Sequence, residues 1–120
     1  MAKKILIAED EKPMAQALVL KLNSEGYNTK AVYDGVEALA ELVKNKYDLV
    51  LLDLMMPRKD GFAVLEEMKK KEINVPVIVA SNLSQEEDFS RAKKMGAKDY
   101  FIKSNTSISE VVAHVKKILG

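Results

Sequence analysis

Short apolar runs without internal alternation recur along the chain: Ile5-Leu6-Ile7-Ala8, Leu49-Val50-Leu51-Leu52, Val77-Ile78-Val79-Ala80 and Tyr100-Phe101-Ile102, with a weaker Thr29-Lys30-Ala31-Val32. Unbroken runs of this length fit strands covered on both faces of a parallel sheet, because neither face of such a strand meets water. They place strands near residues 3–8, 28–32, 48–52, 76–80 and 98–102. Between them the apolar positions take the helical spacing: Ala15, Leu18, Val19 and Leu22; then Val36, Leu39, Ala40 and Val43; then Ile108, Val111, Val112, Val115, Ile118 and Leu119. Phe62, Leu65 and Met68 mark a weaker helix, as do Phe89, Ala92 and Met95. Asp34 with Glu37, Ser84 with Glu87 and Ser107 with Glu110 have the spacing of reciprocal helix caps. Strand and helix thus alternate five times, which predicts an α/β fold, a doubly wound five-stranded parallel sheet with helices on both faces.

Composition narrows the class. With 120 residues, 48% hydrophobic and 31% charged, the chain carries the apolar material of one core, and residues 1–120 read as one domain. Nineteen basic residues against eighteen acidic leave a net charge of +1, so no overall field draws it to nucleic acid or an anionic membrane. The runs Lys69-Lys70-Lys71, Lys93-Lys94 and Lys116-Lys117 read as solvated helix faces. The absence of cysteine excludes a disulfide framework, a thiolate metal site and a thiol nucleophile. The lone His114 reads as a partly exposed helix residue. The first apolar run is too short for a signal peptide or a membrane span, so a cytoplasmic location is expected.

In an open α/β sheet, ligands bind at the carboxyl ends of the strands. Four of the five expected strands end there in a group with chemistry: Glu9 and Asp10 after the first, Asp53 after the third, Ser81 after the fourth and Lys103 after the fifth. Each alone has a plainer reading, Asp10 as a cap of the first helix, Asp53 as a turn residue before Pro57, Ser81 as the start of a loop and Lys103 as surface. Together they share one edge. Three adjacent carboxylates repel unless a divalent cation and the ammonium compensate. An all-oxygen ligand set suits Mg²⁺ with retained waters better than Zn²⁺. A carboxylate beside Mg²⁺ and Lys is equipped to attack phosphorus and form an acyl phosphate. The acidic Glu9-Asp10-Glu11 after the first strand would repel a bare phosphate, which argues against a flavin-binding module of similar topology.

Four segments carry a family resemblance: Ile5 to Glu11, Asp34 to Leu39, Leu51 to Pro57 with Asp60-Gly61-Phe62, and Gly96 to Lys103. Together they resemble the receiver domain of bacterial two-component response regulators, over the whole chain. The resemblance implies a flavodoxin-like (βα)5 fold of strand order 2-1-3-4-5. It implies that Asp53 accepts a phosphoryl group from a histidine kinase or histidine phosphotransfer protein. Glu9 and Asp10 then correspond to the acidic pair that holds Mg²⁺, and the Met55 backbone carbonyl to a further ligand. Lys103 corresponds to the lysine that contacts the phosphoryl group, Ser81 to the hydroxyl that moves onto it, and Tyr100 to the aromatic that turns inward on activation. Output in the family runs through the face of the fourth helix, fifth strand and fifth helix, toward an effector domain or output protein. Such a chain is a monomer or a phosphorylation-dependent homodimer, and catalyses only its own phosphorylation and dephosphorylation.

The pattern departs at three places. Ser104 follows Lys103, where the family usually has a proline in a cis peptide, so either that loop is differently shaped or the site sustains strain. Asn82 follows Ser81, where Ala or Gly is usual, and Lys98 stands where dimerising members often have an acid. The first two departures motivate an alternative, a docking module of the same fold that does not use phosphorylation. Met55 and Leu83, two residues after Asp53 and Ser81, flank the approach of a hydrolytic water in the family. Both are apolar here, which predicts a long-lived phosphoform. Met55 also argues against a phosphatase that works through an aspartyl phosphate, since those resemble D-x-D at this position.

Overall fold

The apolar runs form five parallel strands, β1 (Lys4–Ala8), β2 (Asn28–Val32), β3 (Leu49–Leu52), β4 (Val77–Ser81) and β5 (Asp99–Ile102), in a computed structural model that describes residues 2–120. Their order is β2-β1-β3-β4-β5, the flavodoxin-like order expected. The helices α1 (Lys12–Ser24), α2 (Gly35–Lys44), α3 (Gly61–Lys70), α4 (Glu86–Lys94) and α5 (Ile108–Leu119) fill the connections, with a short 3₁₀ turn at Lys103–Asn105. No helix among the described residues is long and apolar enough to cross a membrane.

Alternate residues of β1, β3 and β4 feed two separate cores. Ile5, Ile7, Leu49, Leu51, Ile78 and Ala80 pack with Leu18 and Leu22 of α1 and with Val111, Val112 and Val115 of α5. Leu6, Ala8, Val50, Leu52, Val77 and Val79 pack on the other side with Ala38 and Leu42 of α2, Phe62, Leu65 and Met68 of α3, and Ala92 of α4. This is why the runs show no polar alternation: α1 and α5 cover one face of the sheet, α2 to α4 the other.

Two expectations need correction. The buried stripe of α2 is Gly35, Ala38 and Leu42, whereas Val36 and Val43 are exposed. Two apolar stripes share this helix, and the one that wins begins at Gly35, where a Cβ would lie 1.9 Å from the Lys59 carbonyl oxygen. The cap of α4 is Gln85, one residue later than the Ser84 and Glu87 spacing suggested, and its N–H donates to Asp88 Oδ2 at 3.2 Å. The other caps form: Glu110 N–H donates to Ser107 Oγ and Ser107 N–H to Glu110 Oε1. Glu37 N–H donates to Asp34 Oδ1 at 2.8 Å, while the Glu37 carboxylate reaches back to Tyr33 N–H.

Candidate functional site

The strands deliver their terminal groups to one edge. Glu9 N–H donates to the Val32 carbonyl and Asp53 N–H to the Ala8 carbonyl, each at 3.0 Å. The sheet pairing thus extends one residue past β1 and past β3 and holds both carboxylates by their backbones. Glu9 is 2% exposed, Asp53 3% and Ser81 0%, whereas Asp10 is exposed. One carboxylate oxygen from each of Glu9, Asp10 and Asp53 lies within 4.8 Å of the others.

Lys103 joins them from β5, where register pairing sets Ile102 beside Ser81. Its ammonium donates to Glu9 Oε1 and Oε2 at 2.8 and 3.0 Å, to Glu11 Oε1 at 2.9 Å and to Asp53 Oδ2 at 3.0 Å. Burial pushes the Glu9 carboxyl up to about 7 against the bonds from Lys103 and from Glu11 N–H, and it raises Asp53 as well. For Lys103 burial works the other way, but bonds to Glu9, Glu11 and Asp53 outweigh it and hold the ammonium above the usual lysine range. The cluster is therefore an acidic pocket, buried at Glu9 and Asp53 and open at Asp10 and Glu11, with one firmly charged cation.

The plainer readings hold only in part. Asp10 does not cap α1, whose N-cap is Glu11. Asp53 Oδ1 accepts from Met55 N–H at 3.1 Å, and Ser81 Oγ from Leu83 N–H at 3.2 Å, local turns of the kind short polar side chains make. These bonds leave Asp53 Oδ2 to Lys103. The loop after Asp53 is pinned at three points. Arg58, at a left-handed φ of 66°, pairs with Asp34 at 2.8 Å. Gly35 admits the Lys59 carbonyl, and Gly61 admits the Asp53 carbonyl oxygen, which a Cβ would meet at 2.5 Å.

The Tyr100 hydroxyl donates to the Leu83 carbonyl at 2.7 Å, and its ring meets Phe89 edge-on at 4.6 Å between centroids. Tyr100 is partly buried, and burial raises its hydroxyl above the usual range. Met55 is 58% exposed, whereas Leu83 packs against the core under α2 to α4. The side chains expected to flank one approach are thus unequal, and Leu83 belongs partly to the interior. His114 is partly exposed as expected and pairs with Asp99 while stacking on Phe101.

Two features lay beyond the sequence reading. Glu11 is a third anionic partner of Lys103, signalled only by the unbroken Glu9-Asp10-Glu11 run. The Lys103–Ser104 peptide is trans, and the chain turns there into the 3₁₀ segment. The loop is differently shaped rather than strained: Ser104 N–H donates to Asn82 Oδ1 at 2.9 Å.

A match to the response regulator receiver domain family runs over residues 5–116. The chain is similar to the receiver domain of the Francisella response regulator 1452, at 37% identity and a TM-score of 0.91, covering 97% of this chain and 95% of that one. It is also similar to the receiver domain of a signal transduction histidine kinase from Syntrophus aciditrophicus, at 34% identity and 0.88, covering 98% and 90%. A DNA-binding response regulator of the LuxR family from Staphylococcus aureus is 28% identical with a TM-score of 0.90, covering 98% and 99%. With the fold, the strand order and the family match in agreement over nearly its whole length, this chain belongs to the response regulator receiver domain family.

Proposed function

We propose that the chain is a phosphorylatable receiver that takes a phosphoryl group onto Asp53 from the phosphohistidine of a histidine kinase or histidine phosphotransfer protein. The observation that carries this reading is the placement of a buried carboxylate, Asp53, with one oxygen 3.0 Å from a firmly charged ammonium and beside two further carboxylates. An Asp53 oxygen attacks phosphorus, the P–N bond breaks, and the imidazole leaves with a proton from solvent. Lys103 neutralises charge on the transferring group, and its own affinity for protons keeps it charged throughout. The donor set of Glu9, Asp10 and Asp53 fits Mg²⁺, being all oxygen and partly open to water through Asp10, and the Met55 backbone carbonyl would add a further oxygen. When bound, Mg²⁺ supplies charge compensation to the phosphoryl oxygens.

After transfer, Ser81 gives up its bond from Leu83 N–H and turns its hydroxyl to the phosphoryl oxygens. Leu83 also holds the Tyr100 hydroxyl, so a change at Ser81 reaches Tyr100 and the face of α4, β5 and α5 through two covalent residues and one hydrogen bond. A cytoplasmic effector domain or output protein reads that face. Intact-mass spectrometry after treatment with acetyl phosphate and Mg²⁺ tests the reading. A gain of about 80 Da, one phosphoryl group on a carboxylate, is expected in the natural chain and absent in Asp53→Asn. Its persistence in Asp53→Asn would overturn the assignment.

A further inference from the structure

The two departures from the family pattern beside the site are the two halves of one hydrogen bond. Asn82 follows the hydroxyl residue Ser81, and Ser104 follows the ammonium residue Lys103. The bond runs from Ser104 N–H to Asn82 Oδ1 at 2.9 Å. Its donor exists only because residue 104 is not a proline. Its acceptor exists only because residue 82 has a side chain with a carbonyl oxygen, which Ala or Gly lacks.

Its place in the fold joins the segment after Ser81 to the turn at Lys103. Pairing of β4 with β5 runs up to Ser81 and Ile102. The Asn82 side chain carries the connection one residue further, to the turn that Lys103 opens. On the other side of Asn82, the Leu83 backbone holds Ser81 Oγ and accepts the Tyr100 hydroxyl. The segment Ser81-Asn82-Leu83 is thus tied to β5 at both ends of that strand, to Tyr100 near its start and to Ser104 just past its end.

From this juxtaposition we infer that Asn82 is a positioning residue for phosphoryl transfer: through the Ser104 backbone it sets the Ser81 loop and the Lys103 turn against each other before the phosphoryl group arrives. Such prior placement spares the two loops from ordering during the reaction, so its loss slows the step without weakening the binding of metal. The inference rests on the phosphoryl-transfer reading above.

The test compares the natural chain with Asn82→Ala and Asn82→Asp, using acetyl phosphate as donor. In Asn82→Ala the rate of Asp53 phosphorylation at saturating acetyl phosphate should fall by roughly two- to tenfold, the worth of one net hydrogen bond. The half-saturating acetyl phosphate concentration and the Mg²⁺ affinity should stay unchanged. Exchange of the Ser104 amide should quicken in Asn82→Ala and remain slow in Asn82→Asp, which keeps the acceptor oxygen. An unchanged rate or an unchanged Ser104 exchange in Asn82→Ala overturns the inference. A rate loss that comes with an equal loss of Mg²⁺ affinity also overturns it, because the residue would then act through the metal site. If the natural chain itself takes up no phosphoryl group, the phosphoryl-transfer reading fails and the inference falls with it. Ser104 exchange still reports separately whether the bond forms.

Discussion

Replacing Lys103 with Met removes a charge while keeping most of the apolar stem. In the natural chain the ammonium, on a side chain 7% exposed, lies 2.8 Å from Glu9 and 3.0 Å from Asp53, whose side chains are 3% and 4% exposed. Without it, two carboxylates remain out of water with no cation beside them. Breaking a buried pair from one side costs about 3–5 kcal/mol, a large share of the roughly 5–15 kcal/mol that holds a domain together. The carboxylates escape that cost by taking up protons. Glu9 already sits at about 7 instead of 4.5, and losing Lys103 moves it higher. A carboxyl raised in the folded state binds more protons there than in the unfolded chain, so stability falls as pH climbs from 4.5 through the folded value. Near pH 5, about where Glu9 is protonated in both folded proteins, the deficit of Lys103→Met should be about 1 kcal/mol, the ordinary scale of a single substitution. Near pH 8, above the value at which Glu9 of the natural chain ionises, a Glu9 still protonated in the variant adds about 1.4 kcal/mol per pH unit, so the deficit should at least double, with Asp53, which burial also raises, adding to it. Urea unfolding followed by circular dichroism at the two pH values, without Mg²⁺, measures both. Equal deficits would refute the view that Lys103 compensates buried charge.

Four further outcomes are expected. In Gly61→Ala the new Cβ meets the Asp53 carbonyl oxygen and Leu54 Cα, so a loss of about 1–3 kcal/mol in chemical denaturation should accompany slower phosphorylation; a variant as stable and fast as the natural chain would count against the close packing. Leu42→Ala should cost about 2–5 kcal/mol, while Val43→Lys should stay within about 0.5 kcal/mol, since Leu42 is buried and Val43 exposed; the reverse order would restore the other stripe of α2. Because Leu83 packs inward and Met55 is exposed, Met55→Asn alone should shorten the lifetime of the phosphoform several-fold, read by loss of the mass adduct, and an unchanged lifetime would remove Met55 from control of hydrolysis. Beryllofluoride with Mg²⁺ should move amide NMR signals throughout residues 84–103, and shifts confined to the neighbourhood of Asp10 and Asp53 would mean that no switch operates.

Most of the strands and their terminal groups were legible because burial on both faces leaves unbroken apolar runs, and four of the five runs stop at a polar residue with chemistry. Glu9, Asp53, Ser81 and Lys103 were visible for that reason. The phase of α2 was not, since Val36, Leu39 and Val43 make as good a stripe as Gly35, Ala38 and Leu42 until the approach of Lys59 is known. The cap of α4 slipped by one residue because Ser84 has the more usual capping side chain, although Gln85 occupies the position. Ser104 was legible only as a missing proline. What it contributes is a backbone N–H, which every residue but proline carries, so no pattern of side-chain types could have paired it with Asn82.

The division of β1, β3 and β4 between two apolar cores also bears on how the sheet finds its alignment during folding. In a sheet with one wet face, sliding a strand by one residue exposes its apolar set and is rejected at once. Here such a slide exchanges one apolar side chain for another, and polarity within the strands offers no correction. The correction sits at their ends. Sliding β3 by one residue would carry Asp53 to the level of Leu52, fully buried and paired beside Ala8 and Val79, where its carboxylate would have neither Lys103 nor water. Glu9, which also bonds Lys103, closes β1 in the same way. The groups that equip the site for chemistry therefore act as stops for strand alignment, and chains stripped of several of them together should misalign during refolding even where the final packing could accommodate the change.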